Sequence, residues 1–67
     1  MNKILSITEP KKTNSSYGNY VCLTEVEIPV GDHKTNMDFY FFKKIKAIEF
    51  YNTVLCSIKK EGYYYAK

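Results

Sequence analysis

Along this chain the spacing of apolar side chains changes once, near Phe42 and Lys43, from every second residue to every third or fourth. A period of two puts alternate side chains on opposite faces of a strand, and a period of 3.6 gathers them into one stripe on a helix. The switch divides the chain into a sheet-forming part followed by a helix-forming part. After it, Ile48, Tyr51, Leu55 and Ile58 fall on one side with Ala47 and Val54, while Lys46, Glu49, Thr53, Ser57 and Lys60 fall opposite. The spacing predicts an amphipathic helix over Lys43–Glu61, about 27 Å long at roughly 1.5 Å per residue. Gly62 is placed to stop it, and Lys59 and Lys60 complement the negative end of its dipole. No Ser, Thr, Asp or Asn stands at the cap position beside Lys43, which leaves its start open by several residues.

Before the switch, three segments read as strands. Lys3–Thr8, with Ile4, Leu5 and Ile7, is the first, and Glu9-Pro10 ends it because proline supplies no N–H to a ladder. Lys11–Asn19 is polar and reads as a loop. Tyr20–Pro29 is rich in β-branched and aromatic residues, with Glu25 and Glu27 alternating against Val26 and Ile28. Strict alternation adds Cys22 and Thr24 to the Val26 face and sends Val21 and Leu23 outward, whereas a bulge near Thr24 would bring Val21 and Leu23 to the same side as Val26 and Ile28. Both arrangements stay open. Gly31-Asp32 marks a turn, and Asn36–Phe42 forms the third strand, with Met37, Phe39 and Phe41 on one face against Asp38, Tyr40 and Phe42 on the other. Since both faces carry rings, either the sheet is covered on two sides or one aromatic face is left for a partner. The tail Tyr63-Tyr64-Tyr65 reads as a short fourth strand in preference to a frayed end. The expected fold is α+β: a small three-stranded antiparallel sheet packed by one C-terminal helix, in the order β-β-β-α with that possible last strand, forming a single domain over residues 1–67.

A domain of about 60 residues buries only roughly 60% of the surface its unfolded chain exposes, so a deep active-site cleft is hard to build at this size. With 45% apolar and 16% aromatic residues and a net charge of +3, the composition is that of a folding chain and not of a disordered one. No stretch approaches the ~20 apolar residues that span a bilayer, and the start of the chain has no long apolar run of a secretion signal, so the expectation is a cytoplasmic protein with no membrane partner.

Side chains suited to chemistry are few. Cys22 and Cys56 read as small buried hydrophobes, and they form no CxxC pair. His33, the single histidine, stands in a Gly-Asp-His-Lys turn and reads as an exposed loop residue. Glu25 and Glu27 point the same way from one strand, which is the pattern of a solvated acidic face. These residues predict no enzyme, no metal and no cofactor.

Eleven tyrosine and phenylalanine rings in 67 residues are more than so small an interior can hide. Tyrosine offers a large contact area with only two side-chain torsions to freeze, so surplus rings point to docking. The candidate partner-binding residues are Tyr40, Phe50, Tyr63, Tyr64 and Tyr65 as apolar anchors, with Lys43, Lys44 and Lys46 steering an acidic partner. The same lysines, with Lys59 and Lys60 at the helix's other end, make the best basic cluster in the chain, which keeps nucleic acid among the expected partners. Self-association through this patch, or through an open sheet edge, would give a homodimer.

In Phe41-Phe42-Lys43-Lys44-Ile45-Lys46-Ala47-Ile48-Glu49-Phe50, the positions Phe41, Lys44, Ala47 and Phe50 resemble the strand-to-helix junction of the arm-type DNA-binding domains of phage integrases. That resemblance implies a three-stranded sheet with a helix, and a sheet that enters the major groove. Against it, Glu25, Glu27 and Asp38 would face phosphates, and the chain has no arginine for bidentate guanine recognition. The Lys, Asn, Ile and Tyr bias also resembles small accessory proteins of bacteriophages and mobile elements from AT-rich hosts. By that resemblance the chain is expected to be a non-catalytic, stoichiometric inhibitor or adaptor of a host or defence complex, in the manner of anti-CRISPR proteins, binding a protein or ribonucleoprotein. A small DNA-binding regulator is the alternative.

Overall fold

The longest strand organises the molecule. In the computed structural model, which describes residues 2–31 and 33–66, the strands are β1 (Asn2–Ile7), β2 (Lys11–Ser15), β3 (Gly18–Ile28), β4 (His33–Phe41) and β5 (Tyr64–Ala66), with one helix, α1 (Lys44–Glu61). β3 pairs along one edge with β4 in unbroken register from Tyr20↔Phe41 to Ile28↔His33. Its other edge is shared end to end: β1 covers Thr24 to Glu27, and β2 covers Gly18 to Val21. β5 adds antiparallel to the outer side of β1, with Asn2↔Ala66 and Ile4↔Tyr64. Counting β1 and β2 as one interrupted strand, the sheet has the order of a Greek key in which the helix makes the return connection.

The α+β class and the single C-terminal helix are as the periodicity predicts, but the sheet has five strands where three were expected. The correction lies mainly at Lys11–Ser15, expected as part of a loop and found as β2. Its residues carry no apolar alternation; backbone pairing to the otherwise vacant edge of β3 makes it a strand. Pro10 interrupts the ladder just before it, and Thr8 holds the break closed by donating its N–H to the Leu23 carbonyl (2.9 Å) while its Oγ1 accepts the Leu23 N–H (3.1 Å). The preferred tail strand is present, one residue further on than Tyr63–Tyr65. β4 starts three residues before the expected Asn36. The turn before it contains Gly31 at φ 83°; Asp32, the other half of the expected turn pair, lies outside the described residues.

β3 keeps strict alternation, which resolves the choice of faces. The irregularity is in its partner: between Ile4 and Ser6 the register slips, so β1 bulges at Leu5. Cys22, Thr24 and Val26 therefore face the helix together with their neighbours Ile4, Ile7, Met37 and Phe39. Ile4, Val26 and Val54 are fully buried and form the centre of the core, wrapped by Ile7, Met37, Phe39, Phe50, Ile58, Tyr64 and Ala66. Val21, Leu23, Glu25 and Glu27 point the other way. Among the described residues no layer covers that second face: they measure 33 × 24 × 17 Å, and the short dimension is that of one helix on one sheet.

α1 seats the stripe Ala47, Phe50, Val54 and Ile58 on the sheet, with Ala47 and Val54 completely buried. Lys43 is its N-cap in extended conformation with no side-chain cap bond. Gly62 ends it in the left-handed region at φ 90°, donating its N–H to the Ile58 carbonyl at 2.8 Å. The Ser57 hydroxyl then donates to the Tyr63 carbonyl at 2.7 Å, turning the chain toward β5.

Candidate binding surfaces

Because helix and sheet make only two layers, none of the eleven rings is buried. Tyr17, Phe42 and Tyr65 are exposed and the other eight are half-buried. The eight partner-binding residues expected from the sequence fall in three separate groups, with Lys46 apart from all of them.

Phe50 and Tyr64 belong to the inner seam. Phe50 lies 4.9 Å from Phe39, 5.3 Å from Phe41 and 6.4 Å edge-on from Tyr64, joining helix, β4 and β5. Their position follows from the β4 alternation and from the pairing of Tyr64 with Ile4.

Tyr40, Tyr63 and Tyr65 lie on the uncovered face of the sheet, at its two ends. Tyr40 is the cross-strand neighbour of Val21, and its ring tilts against Tyr17 at 5.6 Å. Val21 points away from the helix yet is only 8% exposed, whereas Tyr17 is 73% exposed. Tyr17 lies in the segment read as a loop, and no local pattern signals that the Ser15–Gly18 turn carries it to Tyr40. At the far end, Tyr63 and Tyr65 meet edge to face at 4.9 Å, and the Lys3 ammonium lies 4.8 Å from the Tyr63 ring centre and 5.8 Å from that of Tyr65. A side-chain hydrogen bond with Tyr65 raises the Tyr63 phenol above its ordinary pKa, and Lys3 pulls in the opposite direction. Between the two ring pairs is a polar strip. Ser6, Thr8, Leu23, Glu25, Asn36 and Asp38 border a shallow hollow there of about 390 Å³.

Lys43 and Lys44 occupy a different corner, at the start of α1. With Lys12 and Asn14 from β2 and Asn19 and Tyr20 from β3, they line an open hollow of about 750 Å³ whose rim includes Phe42, 65% exposed. The Asn19 side chain donates to the Phe42 carbonyl at 3.2 Å and so ties β3 to the β4–α1 corner. The hollow is lined by three lysines and no acid. Lys46 stands outside it and pairs with Glu49 at 3.7 Å, the one ion pair among the described residues.

Cys22 is buried beneath α1, where its thiol approaches the Ala47 carbonyl at 3.9 Å and burial raises its pKa; Cys56 is exposed on the helix. His33 is exposed at the start of β4. Among the described residues, no group of three or more His, Cys, Asp or Glu could hold a metal ion, and no helix is long and apolar enough to cross a membrane. No protein-family model, curated protein or solved structure matches the chain.

Proposed function

We propose that this chain is a non-catalytic binding protein that acts stoichiometrically, as an inhibitor or adaptor of a host or defence complex of the kind that small phage accessory proteins target. The observation that supports this reading is the uncovered sheet face, with a ring pair at each end. Tyr17 with Tyr40, and Tyr63 with Tyr65, give two rigid apolar anchors about a polar strip, and Phe50 and Tyr64 stiffen the sheet from behind. Affinity capture from host lysate tests it. Replacing Tyr17 and Tyr40, or Tyr63 and Tyr65, by alanine abolishes capture of the partner retained by the unaltered chain, while replacing Lys43 and Lys44 leaves it. Capture indifferent to both ring pairs refutes the reading.

A nucleic-acid-binding regulator is the second reading, favoured by the acid-free hollow of Lys12, Lys43 and Lys44 with Tyr20 and Phe42 at hand for stacking. It uses that corner and not the sheet, whose open face presents Glu25, Glu27 and Asp38. Three phosphate contacts to a single strand predict a slope of about −2 for log K against log salt. Absence of binding to single-stranded and duplex DNA at low salt refutes it.

A further inference from the structure

An edge strand offers unpaired N–H and C=O groups to any other strand, and folded proteins ordinarily blunt such edges with prolines, bulges, brevity or inward charges. Two edges of this sheet are blunted in those ways. β5 is three residues long; β2 is five residues long, follows Pro10 and has an irregular register. The third is not. β4 runs nine residues with no proline and no slip against β3, and the residues on its helix-facing side, His33, Thr35, Met37, Phe39 and Phe41, include no lysine and no acid.

The charges on the other face of β4 are placed to complement themselves. Lys34 and Asp38 are four residues apart on the uncovered face, opposite Glu27 and Leu23 of β3, with Asn36 midway between them. When two copies of β4 lie antiparallel with Asn36 opposite Asn36, Lys34 of each copy falls directly across from Asp38 of the other. Directly opposed antiparallel residues share a face with Cβ atoms about 5 Å apart, close enough for both pairs to form. The same register sets Thr35 against Met37 on the helix side. Sliding by two residues one way puts Lys34 across from Tyr40, and the other way across from Asn36; either slide loses both ion pairs.

We propose that two copies of this chain associate through their β4 edges, antiparallel about Asn36, into one continuous sheet with both helices on the same side. The two-fold axis makes the contact self-complementary and closed, so association stops at two chains. The inference is independent of which partner the open face binds.

Sedimentation or light scattering across the micromolar range tests it. The unaltered chain reaches twice its 7.9 kDa mass as concentration rises. Lys34→Asp and Asp38→Lys each weaken the dimer by about tenfold or more, because each turns two attractive pairs into two repulsive ones. The double reversal K34D/D38K restores it. A mass of 7.9 kDa throughout the range overturns the proposal. So does a dimer indifferent to either single reversal, or a folded double reversal that stays monomeric. Amide exchange on the unaltered protein gives a reading that needs no variant: β4 amides gain protection with concentration, and exchange independent of concentration also overturns the proposal.

Discussion

Gly18 opens β3 at the place where β4 ends. A Cβ built on it would stand 2.7 Å from the Phe41 carbonyl oxygen, 2.8 Å from the Phe41 nitrogen and 2.9 Å from its carbonyl carbon. Ordinary contacts of a Cβ begin near 3.4 Å, so Gly18→Ala requires a separation of several tenths of an ångström between two backbones held together by the Tyr20↔Phe41 pairing and by the Asn19–Phe42 bond. No flexible side chain can give way. Overpacking of this kind costs about 1–3 kcal/mol, and the lower entropy of unfolded alanine returns roughly 0.4–1 kcal/mol. The net loss is about 1–2 kcal/mol, which lowers the midpoint of thermal unfolding by roughly 5–15 °C in a domain of this size. Gly62→Ala is the internal control. Nothing lies within 4 Å of a Cβ there, and the φ of 90° alone predicts a loss of about 1 kcal/mol without change elsewhere. Thermal melts followed by circular dichroism measure both. The Gly18→Ala variant should also perturb the amide resonances of Phe42 and Lys43, since the strained corner leads directly into the lysine hollow. A Gly18→Ala protein as stable as the parent refutes the argument from backbone contact.

Three further outcomes are expected. Val54→Ala, at a fully buried helix position against Ile4 and Val26, costs about 2–3 kcal/mol from lost burial and the residual cavity, measured by urea unfolding. Thr24→Val removes the 2.7 Å bond from its hydroxyl to the Met37 carbonyl and costs about 1 kcal/mol, whereas Thr24→Ser keeps the bond; equal stability of the Val variant and the parent would show that the bond contributes nothing. Iodoacetamide at neutral pH adds once to the native protein, at exposed Cys56, and twice after denaturation, because burial both shields the Cys22 thiol and raises its pKa; mass spectrometry finding rapid double addition to the native form refutes that placement.

The period of the apolar residues located the strands now seen as β1, β3 and β4 within three residues at their starts, and the helix within one at its start. Gly62 and the terminal lysines marked its end because a left-handed stop and a complementary charge are local requirements. Local chemistry also put Met37, Phe39 and Phe41 on one face. The strand at Lys11–Ser15 was illegible for a matching reason: polar and unpatterned, it becomes extended only because the edge of β3 beside it would otherwise go unpaired. The same holds for the binding residues. Ring count alone announced that some aromatics must stay near water, but which ones depended on partners distant in sequence. Phe50 was drawn inward by Phe39, Phe41 and Tyr64, and Tyr17 was carried to Tyr40 by a hairpin.

Sequence by itself thus determined the elements whose signals lie within one turn or one alternation: a sheet, then a helix, with more rings than a two-layer interior can enclose. Tertiary structure decided which strand edges were filled, which rings became core, and that Lys12 joins Lys43 and Lys44 while Lys46 stands apart. The reason is physical. Periodicity records which face of an element is apolar, whereas edge pairing and the meeting of surface groups depend on where the chain returns, and that is set only when the whole sheet closes around its buried centre.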